Sequence, residues 1–257
     1  WGTKSYRIFS MDADGHDLKP ISDGNDTAIA PTWGPNQQIF YGVSKNYSPF
    51  RLMRFDGTTH ERVNVPYKTS VYSVAFDKTH SKMAIAVADS TGSALPGVTV
   101  TIGKPDGSEM KKVSTSQYAT HPVFSPSGKL AWIGGGKTKG GQRVYVDDKA
   151  VSPAGFTAGA PAFCDTEDGI RLVYSVSVGG NRHDLVMSAE KGGGVQRLTQ
   201  NQGSNSSPAC SPDGRLLAFF STRKKPGTYF MSLKRWRTQQ LNGQVGESLR
   251  WEALPPP

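Results

Sequence analysis

The chain has 257 residues, with 29 glycines, 17 prolines, 36% apolar residues and a formal net charge of +9. Glycine and proline fall in turn-like clusters separated by short apolar runs, which excludes a disordered chain and points to many short strands. No run approaches the ~18 apolar residues of a membrane-spanning helix; the positive charge permits contact with an acidic partner, nucleic acid or an anionic envelope surface but reads first as a soluble basic surface, its basic clusters being too interrupted for a continuous basic arm.

In chain order, Tyr6–Ser10 and Leu18–Ile21 read as two strands around the turn Asp14-Gly15. Six related segments follow: Pro31–Trp33, Val74–Phe76, Pro122–Phe124, Pro161–Phe163, Pro208–Cys210 and Leu249–Trp251. Their last residues, here called anchors, stand 39 to 48 residues apart. A strand-and-turn repeat of about 40–50 residues is the mark of a propeller blade. The fifth copy is the clearest. Ser206–Cys210 is an innermost strand, Ser211–Gly214 a turn with proline and glycine where a turn favours them, and Arg215–Ser221 a second strand. Lys224–Gly227 is a loop, Thr228–Leu233 a third strand and Arg237–Leu241 a fourth. The copy at Pro31 turns at Gly34–Asn36. The copy at Val74 is degenerate at Asp77–His80 and lengthened by an insert at Thr91–Pro96. The copy at Pro122 turns at Ser125–Gly128 and carries a glycine-rich loop from Gly134 to Gly141.

After Trp251 only six residues remain, so the last copy has a single strand. With the two N-terminal strands it would form a sixth blade from both termini, a closure that leaves few free edges. The expected fold is thus all-β: one six-bladed β-propeller domain over residues 1–257. The missing second strand of the split blade is expected just before Trp1, so the chain is read as cut from a longer protein with a preceding domain.

The anchor aromatics Trp33, Phe76, Phe124, Phe163 and Trp251 recur once per blade, which suits packing between blades. Cys210 stands at an anchor, and Cys164 one residue past the preceding anchor. Successive strand residues point to opposite faces, so the two thiols are expected to face differently. No disulfide is expected, given the short Cα–Cα distance one needs, and the cysteines leave the redox compartment open.

Catalytic patterns are missing: there is no nucleophile elbow, zinc-protease helix or P-loop. Gly134–Thr138 lacks the first glycine of a phosphate loop and sits between strands. Asp165, Glu167 and Asp168 lack the closing glutamate of a calcium loop and read as a turn. Of the histidines, His16, His60, His80 and His183 read as solvated residues of turns or loops. His121 directly precedes an innermost strand, where channel-mouth residues arise, and reads equally well as an exposed loop histidine. No cofactor and no metal is expected, and the chain is read as non-catalytic.

The run Ser206–Gly214 with Leu216–Ser221 resembles the WD40-like propeller repeat of the TolB family. Tyr6–Gly15 resembles the Asp-Gly turn of that repeat. Asn242–Val245 followed by Ser248–Trp251 and an early stop resembles the way TolB chains end. The resemblance spans the whole chain. It implies a monomeric periplasmic component of the Tol–Pal system, which serves outer-membrane integrity and cell division. The family's propeller binds the lipoprotein Pal, and a preceding α/β region, absent here, communicates with TolA. No nucleic-acid contact and no membrane insertion are implied. In the family Pal docks at loops leading into the innermost strands. Carried onto this chain, that mouth comprises Ile29, Ala30, Ser70, Val71, Tyr72, Thr120, His121, Gly159, Ala160, Ser206, Ser207, Glu247 and Ser248. Thr120 and His121 stand where the family has a polar pair touching Pal, whereas Ser70 replaces a contact histidine. Tyr72 and His121 are the expected energetic anchors, by residue type and position. Two other readings compete: the propeller of a prolyl-oligopeptidase-type peptidase, and an envelope- or glycan-binding propeller with another partner.

Overall fold

The computed structural model describes residues 6–46, 49–88, 97–135 and 141–252. The expected insert at Thr91–Pro96 and most of the glycine-rich loop lie outside them. The fold is all-β, with one 3-10 turn at Pro35–Gln37. A short N-terminal hairpin pairs β1 (Phe9–Ser10) with β2 (Lys19–Pro20). The first four-stranded sheet holds β3 (Thr27–Trp33), β4 (Ile39–Ser44), β5 (Arg51–Phe55) and β6 (His60–Arg62). The second holds β7 (Val71–Phe76), β8 (Met83–Ala88), β9 (Val98–Gly103) and β10 (Lys111–Lys112); the third holds β11 (Tyr118–Phe124), β12 (Leu130–Gly135), β13 (Arg143–Val146) and β14 (Lys149–Ala150). One parallel pairing, Tyr118 with Val98, makes these two continuous. The fourth holds β15 (Ala162–Thr166), β16 (Gly169–Ser177), β17 (His183–Ala189) and β18 (Gln196–Arg197). The fifth holds β19 (Asn205–Cys210), β20 (Leu216–Ser221), β21 (Gly227–Ser232) and β22 (Thr238–Asn242). Within each sheet the strands run antiparallel in chain order, and the first strands of successive sheets lie side by side.

The anchors explain the stacking. Phe76 packs with Phe40 and Leu52 of the preceding sheet, its ring 4.7 Å from that of Phe40. Phe124 packs against Ala84 and Val100, Phe163 against Ile133 and Val144, and Trp33 against Ile8 and Ile21 of the hairpin. Trp251 stacks on Phe230 at 5.0 Å. Every anchor therefore faces the element before it, and each apolar cluster is shared by two neighbours, as stacked sheets require.

This stacking overturns the cysteine expectation. Cys164 and Cys210 form a disulfide, with their Cα atoms 5.2 Å apart. The premise was sound, since the two residues do occupy opposite faces of their own strands. Stacked sheets, however, present opposite faces to each other. The anchor face of the fifth sheet meets the far face of the fourth, so the one-residue offset brings the sulfurs together in the cluster of Leu185, Leu217 and Phe219. Two histidines also differ from expectation. His60 opens β6, where it hydrogen-bonds the Tyr41 hydroxyl at 2.6 Å and stacks on Phe55, and His183 opens β17 beside Ser204.

A repeated device ties the outer strands. The backbone N–H of Val100, Val144 and Leu185 donates to the buried hydroxyl of Ser114, Ser152 and Thr199, each just beyond a fourth strand, at 2.9 to 3.0 Å. In the N-terminal hairpin Ile8 N–H donates to buried Ser22 at 2.9 Å in the same manner. The turn of this hairpin reaches the fifth sheet, where Gly15 abuts Leu241 and the Asn242 amide meets the Met11 sulfur at 3.2 Å.

Candidate functional site

Each first strand runs from one end of the stack to the other and each second strand returns. The segments entering the first strands and the loops between second and third strands therefore share one end. All thirteen expected mouth residues lie along those entering segments or on the strands they lead into.

The first strands are locally irregular there. Pairing slips between Ile29 and Thr32, between Thr120 and Val123, and between Ser206 and Ala209. Each slip contains a proline, Pro31, Pro122 or Pro208, which has no N–H for the ladder, so the strand bulges. The residue before each proline takes a left-handed backbone: Ala30 (φ 51°), His121 (52°) and Ser207 (51°), matched at the C-terminus by Ser248 (61°). Non-glycine residues rarely hold this conformation, and where they do it is often at binding sites. The bulges turn backbone N–H groups toward the adjacent first strand. His121 N–H donates to Ser73 Oγ at 3.2 Å, and Ser248 N–H to Ser207 Oγ at 3.1 Å. These equivalent residues of adjoining segments are thereby tied edge to edge.

The expected residues sort by burial. Ala30, Val71 and Thr120 are buried and form the wall beneath the surface. Ile29, Tyr72, His121, Ala160, Ser206, Ser207 and Ser248 are half-buried, and Glu247 is exposed. Ser70 is spent on structure: its hydroxyl accepts from Phe50 N–H at 3.1 Å and its carbonyl from Ala88 N–H at 2.9 Å. Gly159 donates to the Ser175 carbonyl at 2.8 Å, so close that a β-carbon there would strike the Ser175 hydroxyl. The Tyr72 ring lies 6.0 Å from Phe50. At the same end an open groove of about 590 Å³ is lined by Phe156, Thr157, Val178, Arg182 and Asn201 among others.

Three participants were not expected. Ser73 positions His121, as described. Arg223 stacks over Tyr229 at 4.2 Å and donates to Ser221 Oγ and Asn205 Oδ1, and burial lowers its pKa. Arg250 is half-buried one residue before the last anchor; burial lowers its pKa to about 10. The first strands place Thr32, Ala75, Val123, Ala162 and Ala209 at the position of Arg250. Aligning the copies one residue before the anchor would have exposed this arginine. His121 is held to a pKa of about 4, chiefly by burial and then by the nearby Arg250 charge, so its ring is neutral at pH 7. Its Nδ1 is buried without a hydrogen-bond partner. Among the described residues no group of three His, Cys, Asp or Glu side chains is arranged to hold a metal. The site thus offers hydroxyls, a neutral imidazole, aromatic edges and half-buried guanidinium groups, which suit recognition of polar and acidic groups.

No family model and no curated protein matches the sequence. Solved structures do match. TolB from Acinetobacter baumannii aligns with a TM-score of 0.71 at 16% identity over 91% of this chain. The fold is that of the TolB-like propellers. This chain spans 58% of the A. baumannii protein. A TolB candidate from Agrobacterium tumefaciens aligns with a TM-score of 0.76 at 14% identity, covering 94% of this chain and 90% of its own. An oligogalacturonate lyase in complex with manganese shares the TolB-like fold more loosely, with a TM-score of 0.60 at 15% identity, covering 90% of this chain and 69% of its own. No helix among the described residues is long and apolar enough to cross a membrane.

Proposed function

We propose that this TolB-like propeller is a non-catalytic protein-binding module of the TolB type, acting in the periplasm as a monomer and docking Pal at the mouth. The bulge at His121 is tied to Ser73, the neighbour of Tyr72, and the Tyr72 ring lies beside Phe50, so little ordering is needed when a partner arrives. The observation that carries this reading is the linked series of first-strand bulges around His121, on a fold shared with TolB. The disulfide supports an oxidising compartment.

The same proposal includes six blades, the sixth assembled from the N-terminal hairpin and the segment Ser248–Trp251. Three observations support it: the Ile8–Ser22 hydrogen bond repeats that of three full blades, Trp251 packs like every other anchor, and the hairpin turn touches the fifth sheet.

Calorimetry of this chain with the periplasmic domain of Pal from the same organism tests the reading. One-to-one binding that Y72A/H121A weakens at least about tenfold, or about 1.4 kcal/mol, is the expected result. Absence of binding by the folded chain would remove Pal as partner, and unchanged affinity in the double variant would remove the mouth as the site. Turnover of an oligogalacturonide or peptide substrate would overturn the non-catalytic assignment.

A further inference from the structure

We propose that the hairpin joining β21 to β22 docks this chain on an anionic phospholipid surface, with the Trp236 indole seated among the headgroups and Lys234, Arg235 and Arg237 set against their charges. The contact is peripheral, needs no membrane-spanning segment and does not depend on which protein occupies the mouth.

The other hairpins that join a third strand to a fourth, the N-terminal one included, share a common chemistry. Each carries a carboxylate in its turn: Asp14, Asp56, Asp106, Asp147 or Glu190. Each gives a left-handed position to a residue that tolerates it: Gly15 (φ 87°), Gly57 (101°), Gly107 (84°) and Gly192 (83°), or the pair Asp147 and Asp148 (46° and 62°). The hairpin of the fifth sheet departs on both counts. Leu233–Arg237 holds three cations and no carboxylate, and its left-handed position falls to Trp236 (φ 55°). For so bulky a side chain that backbone is an outlier, and such strain gathers at functional sites.

Hydrogen bonds fix the turn. Ser232 N–H donates to the Arg237 carbonyl at 2.9 Å, Trp236 N–H to the Ser232 carbonyl at 2.8 Å, and Arg235 N–H to Ser232 Oγ at 3.2 Å. The indole they present is 43% exposed, and among the described residues no ring or cation stacks on it. Lys234, Arg235, Arg237 and Thr238 are exposed as well. Lys234 pairs with Glu167 at 3.4 Å, but both side chains lie largely in water, where such a pair is weak. Arg235 and Arg237 form no ion pair among the described residues. The turn stands at the end of the stack opposite the mouth, beside the first turn of its own sheet, where Leu233 N–H donates to the Arg215 carbonyl at 2.9 Å. Docking there leaves the mouth facing away from the lipid.

The combination selects the partner. An indole is amphipathic and settles at the headgroup level of a bilayer, and flanking lysine and arginine add attraction to anionic lipid. Single-stranded nucleic acid is held in a basic groove by successive aromatic platforms; this hairpin offers one ring on an exposed turn. A protein hot spot sits within a packed, water-excluding patch, whereas Trp236 has cations on either side.

The test mixes the whole chain at pH 7 and low salt with vesicles of equimolar phosphatidylcholine and phosphatidylglycerol, or of phosphatidylcholine alone. Binding is read by co-sedimentation and by quenching of tryptophan emission with brominated lipid. The expected result is binding at least about tenfold tighter to the anionic vesicles, weakened by added sodium chloride. R235Q/R237Q should weaken it about thirtyfold through loss of two surface cations. W236G should lose quenching and about tenfold in affinity, while keeping or raising the unfolding midpoint, because glycine holds the left-handed backbone without strain. Equal binding to neutral vesicles, undiminished binding in R235Q/R237Q or undiminished quenching in W236G overturns the proposal. So does release from the vesicles by oligothymidylate or polyglutamate at matched charge, which would assign the hairpin to nucleic acid or to an acidic protein.

Discussion

Removing the disulfide offers the sharpest test of the stacking argument. Cys164 and Cys210 are 46 residues apart and join the fourth and fifth sheets inside a buried cluster. Closing a loop of that span restricts the unfolded chain by about 4 kcal/mol at 25 °C on the chain-entropy relation. The double variant C164A/C210A should therefore lose about 4 kcal/mol in urea unfolding, with a nearly unchanged native circular dichroism spectrum. For a chain of this size that corresponds to a fall in Tm of about 10 °C. Oxidised wild type should show no reactive thiol under denaturing conditions, and the reduced protein should match the variant. Two titratable thiols in protein refolded under oxidising conditions would refute the pairing. A loss below about 1 kcal/mol would refute the argument that the bond constrains the unfolded chain.

Three further outcomes follow from individual contacts. S22A removes the buried acceptor of Ile8 N–H and should cost about 1–2 kcal/mol; hydrogen exchange at Ile8 should accelerate, and unchanged protection would show that the hairpin is not held through this hydroxyl. His121 has a folded pKa of about 4, below the ordinary value near 6.5, so the unfolded chain binds its proton first. Its stabilising contribution is then present above about pH 6.5 and lost as pH falls to about 4, by up to ~3 kcal/mol. H121Q should flatten that part of the stability–pH curve, and identical curves would refute the assigned burial. G159A should destabilise through collision with Ser175 and be relieved by S175A, measured by urea midpoints; an additive double variant would refute the contact.

The repeat was legible in the sequence because each copy needs the same materials: an apolar anchor to cover the sheet before it, and a turn of proline, aspartate and glycine. Those needs are local, and they located five four-stranded sheets. The strand content of His60 and His183 was hidden, because polar edge-strand residues and loop residues look alike in sequence. The disulfide was hidden for another reason. Alternation along a strand says which face a cysteine occupies, but only the stacking of sheets says which two faces meet. Likewise, the proline pattern marks the bulges, yet their inter-strand hydrogen bonds require the neighbours to be in place. The sequence by itself thus determined the repeat, its anchors and its turns, because these depend on short-range geometry and burial. Tertiary structure alone decided that Cys164 meets Cys210 and that the His121 N–H meets Ser73, because those meetings join residues of different sheets.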